Sequence, residues 1–157
     1  MKIQDLLQKK HVLIDIGAED KTDLISRMGS FLASAFDLRD PELIVRKLLE
    51  RESDMSTGIG FGVAIPHTRI DGLDRPYMVA ARCRSDMDYD AIDERPVRLV
   101  FMTISPSNTA TEHTANLSAV SKVMSSGSVR QQLINTQTPA EFVSVIADAE
   151  NRMDQKP

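Results

Sequence analysis

The chain has 157 residues and a formal net charge of −4 at pH 7, with 41% hydrophobic and 27% charged residues. This length suits one domain with a sizeable core, and the composition is ordinary for a water-soluble globular protein. No basic block is present and no apolar run reaches the roughly 18 to 20 residues of a membrane helix, so we expect neither a nucleic-acid partner nor membrane insertion. The amino terminus lacks the apolar core of a secretory signal, and the single Cys83 allows no intramolecular disulfide, so we expect a cytoplasmic protein.

Helical and strand-like patterns are mixed along the chain. In chain order we predict a strand at 11–16, helices at 20–36 and 40–52, strands at 63–65, 77–83 and 97–104, and helices at 111–125, 129–134 and 138–149. Strands in the middle and helices at both ends predict an α+β fold, an α/β/α three-layer arrangement with helices on both faces of a mixed β-sheet. Residues 1–150 form the one predicted domain, and residues 151–157 a frayed polar tail.

A glycine-rich segment that leads to a single histidine is the most informative motif. Its sequence is Ser56-Thr57-Gly58-Ile59-Gly60-Phe61-Gly62-Val63-Ala64-Ile65-Pro66-His67. Glycine N–H groups can approach an anion closely, and proline restricts the backbone just before the imidazole. Histidine is neutral in part near pH 7 and can attack phosphorus, so the motif predicts His67 as a phosphoryl acceptor. The same pattern also suits a histidine with a purely structural role in a turn.

Several further side chains are candidate partners of a phosphoryl group on His67. His113 lies in the first turn of a predicted helix, although a histidine there is more often solvent-facing, and Arg51 ends the second helix. The remaining histidine, His11, is predicted to lie on the surface. A metal site is disfavoured because no histidine pair has ligand spacing. Candidate phosphate-binding groups are Ser56, Thr57, Gly58, Gly60 and Gly62.

The chain resembles the fructose/mannitol-type enzyme IIA domains of the bacterial phosphoenolpyruvate-dependent phosphotransferase system, and among them the nitrogen-regulatory IIA proteins. The similarity runs from about residue 3 to 150, and its most specific part is Gly62-Val63-Ala64-Ile65-Pro66-His67. Other matching segments are Leu48-Leu49-Glu50-Arg51-Glu52, Ser56-Thr57-Gly58-Ile59-Gly60, Gly72-Leu73-Asp74-Arg75-Pro76, Asp90-Ala91-Ile92-Asp93, Pro96-Val97-Arg98-Leu99-Val100-Phe101 and Glu112-His113.

The resemblance implies that His67 is phosphorylated by a histidine phosphocarrier protein, which enzyme I charges from phosphoenolpyruvate. It implies that Arg51 and His113 steady the phosphoryl group, that no metal or organic cofactor takes part, and that the fold has three layers. The chain departs from the family at Phe61, where asparagine is usual, and at Thr68, where glycine is most frequent.

Three functions remain open from the sequence. The first is a regulatory phosphocarrier that acts on a target protein according to its phosphorylation state. The second is a sugar-transport IIA component that passes phosphate to a IIB partner. The third is a binding module whose site has degenerated, which the departures at Phe61 and Thr68 motivate. Met55, Ile59 and Phe61 are predicted as exposed apolar contacts for a docking partner, with a core position equally open for Ile59.

Overall fold

The computed structural model describes residues 2–155, which form a six-stranded sheet between two layers of helices. The strands are β1 (Val12–Ile16), β2 (Gly58–Gly60), β3 (Val63–Ala64), β4 (His67–Ile70), β5 (Tyr77–Met87) and β6 (Val97–Pro106). The helices are α1 (Ile3–Leu6), α2 (Lys21–Ala35), α3 (Pro41–Asp54), α4 (Ala110–Met124), α5 (Gly127–Asn135) and α6 (Pro139–Asp154), with a 3₁₀ turn at Lys9–His11.

The sheet is mixed, with the strand order β1-β5-β6-β3-β2 and with β4 also paired to β6. Strand β1 is parallel to β5, β5 is antiparallel to β6, β3 and β4 are both parallel to β6, and β2 is antiparallel to β3. The predicted mixed sheet is therefore confirmed.

Alternation along the central strands divides the core into two layers. Val79 and Ala81 of β5 pack toward α2 and α3, whereas Met78 and Ala80 pack toward α1, α4, α5 and α6. Successive side chains of a strand point to opposite faces, so a strand that is apolar throughout requires helices on both sides. The structure confirms the predicted α/β/α arrangement.

Strands β3 and β4 form one interrupted strand along β6. Val63 pairs with Leu99 and His67 pairs with Thr103, so both segments keep the same register. Pro66 has no N–H to donate, but its carbonyl accepts a hydrogen bond from the Thr103 N–H at 3.0 Å. His67 therefore begins β4, a strand beyond the one predicted at 63–65, and its side chain lies on the sheet face that α4 covers.

The helices predicted to start at 20, 40 and 138 begin with capping residues at those positions. The side chains of Asp20, Asp40 and Thr138 each accept a hydrogen bond from the N–H three residues later. Prolines at the first position of α3 and α6 fit because that N–H has no partner within the helix. These local signals explain why the predicted helix starts agree with the structure.

The final helix is longer than predicted. It continues to Asp154, so the expected frayed tail is wrong for residues 151–154, whereas residues 156–157 lie outside the described residues. Buried Glu150 accepts hydrogen bonds from the N–H groups of Ile3 and Gln4 at 2.8 and 2.9 Å. Lys2 also pairs with Asp154. Contacts with the amino-terminal segment therefore hold the last turns of α6 in place.

The surface position predicted for His11 is also wrong. Its side chain is only 3% exposed, and its ring centroid lies 4.1 Å from that of Phe36. Its Nδ1 accepts a hydrogen bond from the Gln8 N–H at 3.2 Å. The polar sequence around His11 gave no sign of this packing, because Phe36 lies at the far end of α2. Cys83 is buried.

Within residues 2–155, no helix combines the length and the apolar character that crossing a bilayer requires.

Candidate active site

His67, His113 and Arg51 lie together around one open pocket of about 560 Å³, although they are far apart in the sequence. Strand β4 carries His67, the first turn of α4 carries His113, and the last turn of α3 carries Arg51. The two imidazole centroids are 5.3 Å apart. The other residues lining the pocket are Thr68, Arg69, Ser107, Ala110 and Thr114.

The His67 ring has a fixed orientation. Its Nδ1 lies 2.7 Å from the carbonyl oxygen of Ile65. A carbonyl can only accept, so Nδ1 carries the proton, and in the neutral ring Nε2 holds the lone pair. Burial lowers the pKa of His67 below its usual value, and the Arg51 charge acts in the same direction, while the bond to Ile65 opposes them. The ring is therefore predominantly neutral at pH 7 and has one nucleophilic nitrogen.

His113 is buried rather than solvent-facing. Its side chain is 8% exposed, and its Nδ1 lies 2.9 Å from the Ser105 hydroxyl. Its pKa is lowered to about 4, mainly by burial and also by the charges of protonated His67, Arg69 and Arg51. His113 is therefore a neutral hydrogen-bonding group at pH 7.

Two arginines give the pocket its charge. Nη1 of Arg51 donates to the carbonyl of Met55, four residues later, at 2.9 Å. Arg69 also lines the pocket, and sequence reasoning missed it. Its position two residues after His67 on β4 was a usable signal, because residues two apart in a strand share a face. The described residues that line this pocket include no carboxylate, so its chemistry suits an anion.

The glycines of the glycine-rich segment do not line this pocket. They belong to the β2–β3 hairpin, and Gly62 lies five positions before His67, about 16 Å along an extended chain at the usual rise per residue. The expectation that Gly58, Gly60 and Gly62 cradle the phosphoryl group is therefore corrected. Gly58 instead allows close packing, because a Cβ there would lie 2.7 Å from the Ala91 Cβ.

The two hydroxyl groups at the start of the segment are also engaged elsewhere. The Ser56 hydroxyl donates to the Tyr89 carbonyl at 3.1 Å and accepts from the Gly58 N–H at 3.2 Å. The Thr57 hydroxyl is buried and donates to the carboxylate of Glu52 at 2.6 Å. Neither residue lines the pocket, so the predicted phosphate contacts of Ser56 and Thr57 are replaced by structural ones.

The hairpin turn shows why Phe61 is an unusual residue at its position. Phe61 and Gly62 both have positive φ, 57° and 80°, and they connect the paired residues Gly60 and Val63 in the manner of a type I′ turn. Asparagine followed by glycine is favoured there, whereas an aromatic residue in this conformation is strained. Phe61 is nevertheless 62% exposed, with the Arg130 guanidinium 4.7 Å from its ring centroid.

We therefore expect Phe61→Asn to raise the free energy of unfolding by about 1 kcal/mol, because asparagine tolerates the left-handed conformation. Urea denaturation of the variant and the unmodified chain measures the difference. Ile59→Asn is the matched control, since Ile59 is also exposed, at 41%, but lies outside the positive-φ positions. An unchanged or lower stability of Phe61→Asn would contradict the strain argument.

The three predicted docking contacts are exposed. Met55 is 71% exposed, and Ile59 and Phe61 are also on the surface, so the core position left open for Ile59 does not apply. Met55 lies beside the pocket because its carbonyl holds Arg51. Whether these side chains contact a partner stays a prediction.

The low pKa of His113 predicts how stability depends on pH. The pKa of His113 is about 4 in the folded chain and about 6.5 in the unfolded chain. Between these two pH values the unfolded chain binds more protons, so the stability of the fold falls as the pH decreases through this range. The expected loss from His113 is up to about 3 kcal/mol. Denaturation of the unmodified chain and of His113→Asn between pH 7 and pH 4 should show a shallower dependence for the variant, and parallel curves would contradict the assignment.

No group of three or more histidine, cysteine, aspartate or glutamate side chains with metal-binding geometry occurs among residues 2–155.

A neutral imidazole with one free nitrogen, in a cationic pocket on a three-layer fold with a mixed sheet, has a chemistry suited to an anionic group. The family model described as "Phosphoenolpyruvate-dependent sugar phosphotransferase system, EIIA 2" matches residues 5–149. The chain belongs to this family of enzyme IIA domains, which confirms the resemblance found in the sequence.

Individual relatives include both regulatory and sugar-specific proteins. The chain is 32% identical over 146 residues to the fructose-specific EIIABC component of Bacillus subtilis. This match covers 93% of the chain but only 23% of the length of that protein. It is 26% identical over 151 residues to the nitrogen regulatory protein of Pseudomonas aeruginosa, covering 96% of the chain and 98% of that protein. The crystal structure of nitrogen regulatory protein IIA-Ntr from Neisseria meningitidis matches with a TM-score of 0.85 and 30% identity, covering 92% and 98% of the two chains.

Proposed function

We propose that Nε2 of His67 accepts a phosphoryl group from the phosphohistidine of a histidine phosphocarrier protein. The observation that carries this proposal is the bond between His67 Nδ1 and the Ile65 carbonyl, which leaves Nε2 as the basic nitrogen of a neutral ring. The bond also removes the need to reorient the ring during transfer, which favours a reaction that depends on alignment.

The transfer is a displacement at phosphorus. The Nε2 lone pair of His67 forms a new N–P bond while the N–P bond of the carrier breaks, and the carrier imidazole retains that electron pair. Such reactions depend on positioning and on stabilising the charge of the equatorial oxygens. Arg51 and Arg69 are the cationic groups that line the pocket and would supply this stabilisation.

We assign His113 the role of a neutral hydrogen-bond donor. If the Ser105 hydroxyl donates to Nδ1, the proton of His113 is on Nε2 and can be donated to a phosphoryl oxygen. The beginning of α4 adds to this effect, because Ala110, its first residue, lines the pocket and the free N–H groups of a helix amino terminus favour an anion.

The biological role that we favour is a regulatory phosphocarrier of the nitrogen type, whose phosphorylation state controls its binding to a target protein. The observations that favour this role are the likeness to nitrogen regulatory protein IIA-Ntr from Neisseria meningitidis, at 30% identity and a TM-score of 0.85, and to the nitrogen regulatory protein of Pseudomonas aeruginosa, at 26% identity. Because phosphoenolpyruvate and its phosphocarriers belong to the cytoplasm, we propose that location.

A sugar-transport role with a IIB partner is the second candidate. The observations that favour it are the similarity to the fructose-specific component and the shared fold of IIA mannitol from Escherichia coli, which has been solved as a complex with phosphorylated IIB mannitol. That structure has a TM-score of 0.73 and 18% identity to this chain, so the likeness concerns the fold alone.

The test is phosphorylation of the purified chain with phosphoenolpyruvate, enzyme I and a histidine phosphocarrier protein. We expect the mass of one phosphoryl group to be added, in an acid-labile form, on His67. Subsequent incubation with a IIB protein distinguishes the roles, since rapid loss of the label to IIB supports sugar transport and retention supports regulation. No phosphorylation under conditions that label a related IIA protein would contradict the proposal and favour a binding module without transfer.

A further inference from the structure

Glu52 is a buried carboxylate next to Arg51, and the mechanism above does not use it. Its side chain lies in the last turn of α3 and the residue is 7% exposed. The Lys21 ammonium lies 2.8 Å from Oε1, so the charge is paired. A carboxylate that remains buried requires such a partner and further hydrogen bonds, since removal of two charges from water is costly.

The further hydrogen bonds come from Thr57. Its N–H donates to Glu52 Oε1 at 3.0 Å, and its hydroxyl donates to Oε2 at 2.6 Å. Because that hydroxyl proton is used, Tyr89 donates its own O–H to the Thr57 oxygen, at 3.0 Å. Glu52 therefore fixes the backbone of Thr57 at the start of the β2–β3 hairpin.

From Thr57 the contacts continue to the nucleophile. The Thr57 carbonyl accepts from the Ile65 N–H at 2.9 Å, and the Ile65 carbonyl is the group that accepts from His67 Nδ1. These successive bonds place the Ile65 carbonyl relative to α3. The other end of the same short segment is Met55, whose carbonyl holds the Arg51 guanidinium.

We propose that Glu52 is a positioning residue for phosphoryl transfer. Through Thr57 it fixes the segment that sets both the ring orientation of His67 and the placement of Arg51. This inference rests on the proposed function, because it assigns Glu52 a role in that same site. Lys21 serves the site indirectly, since it balances the buried charge and contacts neither His67 nor Arg51 in any ion pair or hydrogen bond of the described residues.

Loss of the Glu52 charge and loss of its positioning contacts should affect His67 differently. Burial and the Arg51 charge lower the pKa of His67, whereas the negative charge of Glu52 opposes them, and His113 and Arg69 also line the His67 pocket. A change of charge alone would shift the titration of His67. A change of position would also weaken the bond between Nδ1 and Ile65 and slow the transfer.

The experiment compares two double variants that remove both buried charges. Lys21→Met with Glu52→Met leaves the Thr57 N–H without an acceptor, whereas Lys21→Met with Glu52→Gln retains an amide oxygen for it. Removal of the pair together avoids an unpaired buried charge, so both variants are expected to fold. Glu50→Met is the matched control, because Glu50 lies on the same helix and its side chain is 59% exposed.

The rate of phosphoryl transfer from the phosphorylated histidine phosphocarrier should differ between the two double variants. We expect Lys21→Met/Glu52→Met to lower the maximal rate by up to about 100-fold with little change in the KM for the carrier, because misplacement of reacting groups by about 1 Å can have an effect of that size. The glutamine double variant should recover most of the rate, and Glu50→Met should match the unmodified chain. Equal rates for both folded double variants would overturn the inference.

Nuclear magnetic resonance provides a readout that does not depend on transfer. The Nδ1–H resonance of His67 should remain protected in the glutamine double variant and broaden or disappear in the methionine double variant. If the unmodified chain takes up no phosphoryl group, the proposed function fails while this measurement still decides the role of Glu52. A protected resonance in both variants would show that Glu52 does not position His67.

Discussion

Replacement of His67 by glutamine is expected to abolish phosphoenolpyruvate-dependent phosphorylation of the chain. Glutamine can fill much of the same space and offers an N–H near the Ile65 carbonyl, but its amide nitrogen has no basic lone pair. No other imidazole of the pocket can substitute, because the pKa of His113 is lowered to about 4 by its buried position beside Ser105 and the pocket cations, which makes it a poor base. Intact-protein mass spectrometry after incubation with enzyme I and the phosphocarrier measures the loss.

Variants of the other histidines control this experiment. His113→Gln should still be phosphorylated, but about 100-fold more slowly, because it removes one donor to the phosphoryl oxygens while His67 remains. His11→Gln should be phosphorylated at the normal rate if folded, since His11 packs against Phe36 and does not line the pocket. Persistent labelling of His67→Gln at the unmodified rate would show that the acceptor is another residue.

The sequence predicted those parts of the fold that local signals determine. Asp40 followed by Pro41, and Thr138 followed by Pro139, start helices because a side-chain acceptor and a missing N–H both suit a first turn. Strands in the middle of the chain and helices at both ends predict a sheet with helices on both faces, and the structure shows that β5 and β6 are indeed covered on both sides.

The errors arose where long-range contacts decide the outcome. Glycines that alternate before a histidine were interpreted as an anion-binding loop, but Gly58 is needed for packing against Ala91, and Gly62 supports a tight turn. The hydroxyl of Thr57 was predicted to face a phosphate, yet Glu52 and Tyr89 bind it from distant parts of the chain. Sequence spacing contains no record of such partners, because each contact depends on how helices and strands pack.

The candidate site contains residues that local sequence signals predict and residues that only long-range contacts bring together. His67 was recognisable because Pro66 and the preceding apolar strand restrict its backbone. Arg69 was also within reach of sequence reasoning, since it lies two residues farther along the same strand. The hydrogen bond between Ser105 and His113 could not be predicted from the sequence, because only the pairing of β4 with β6 and the packing of α4 bring the Ser105 hydroxyl to His113.

Arg51→Gln is expected to lower the rate of phosphoryl transfer to His67 by about 100-fold, because it removes a planar charged donor aimed at the developing charge. The effect should fall on the maximal rate more than on the KM for the phosphocarrier. Arg69 remains in the pocket, so transfer should be slowed rather than abolished. Transfer reactions with phosphorylated carrier, quenched at timed intervals and analysed by intact-protein mass spectrometry, measure the maximal rate and the KM.

Arg51→Lys distinguishes charge from geometry at this position. Lysine keeps a positive charge but presents a point charge instead of paired planar donors, and it loses the guanidinium bond that joins Nη1 to the Met55 carbonyl. We expect it to recover only part of the rate. Arg46→Gln is the matched control, because Arg46 lies on the same helix with a 64% exposed side chain and does not line the His67 pocket. If Arg51→Gln transferred as fast as Arg46→Gln, Arg51 would serve α3 and the Met55 segment rather than the phosphoryl group.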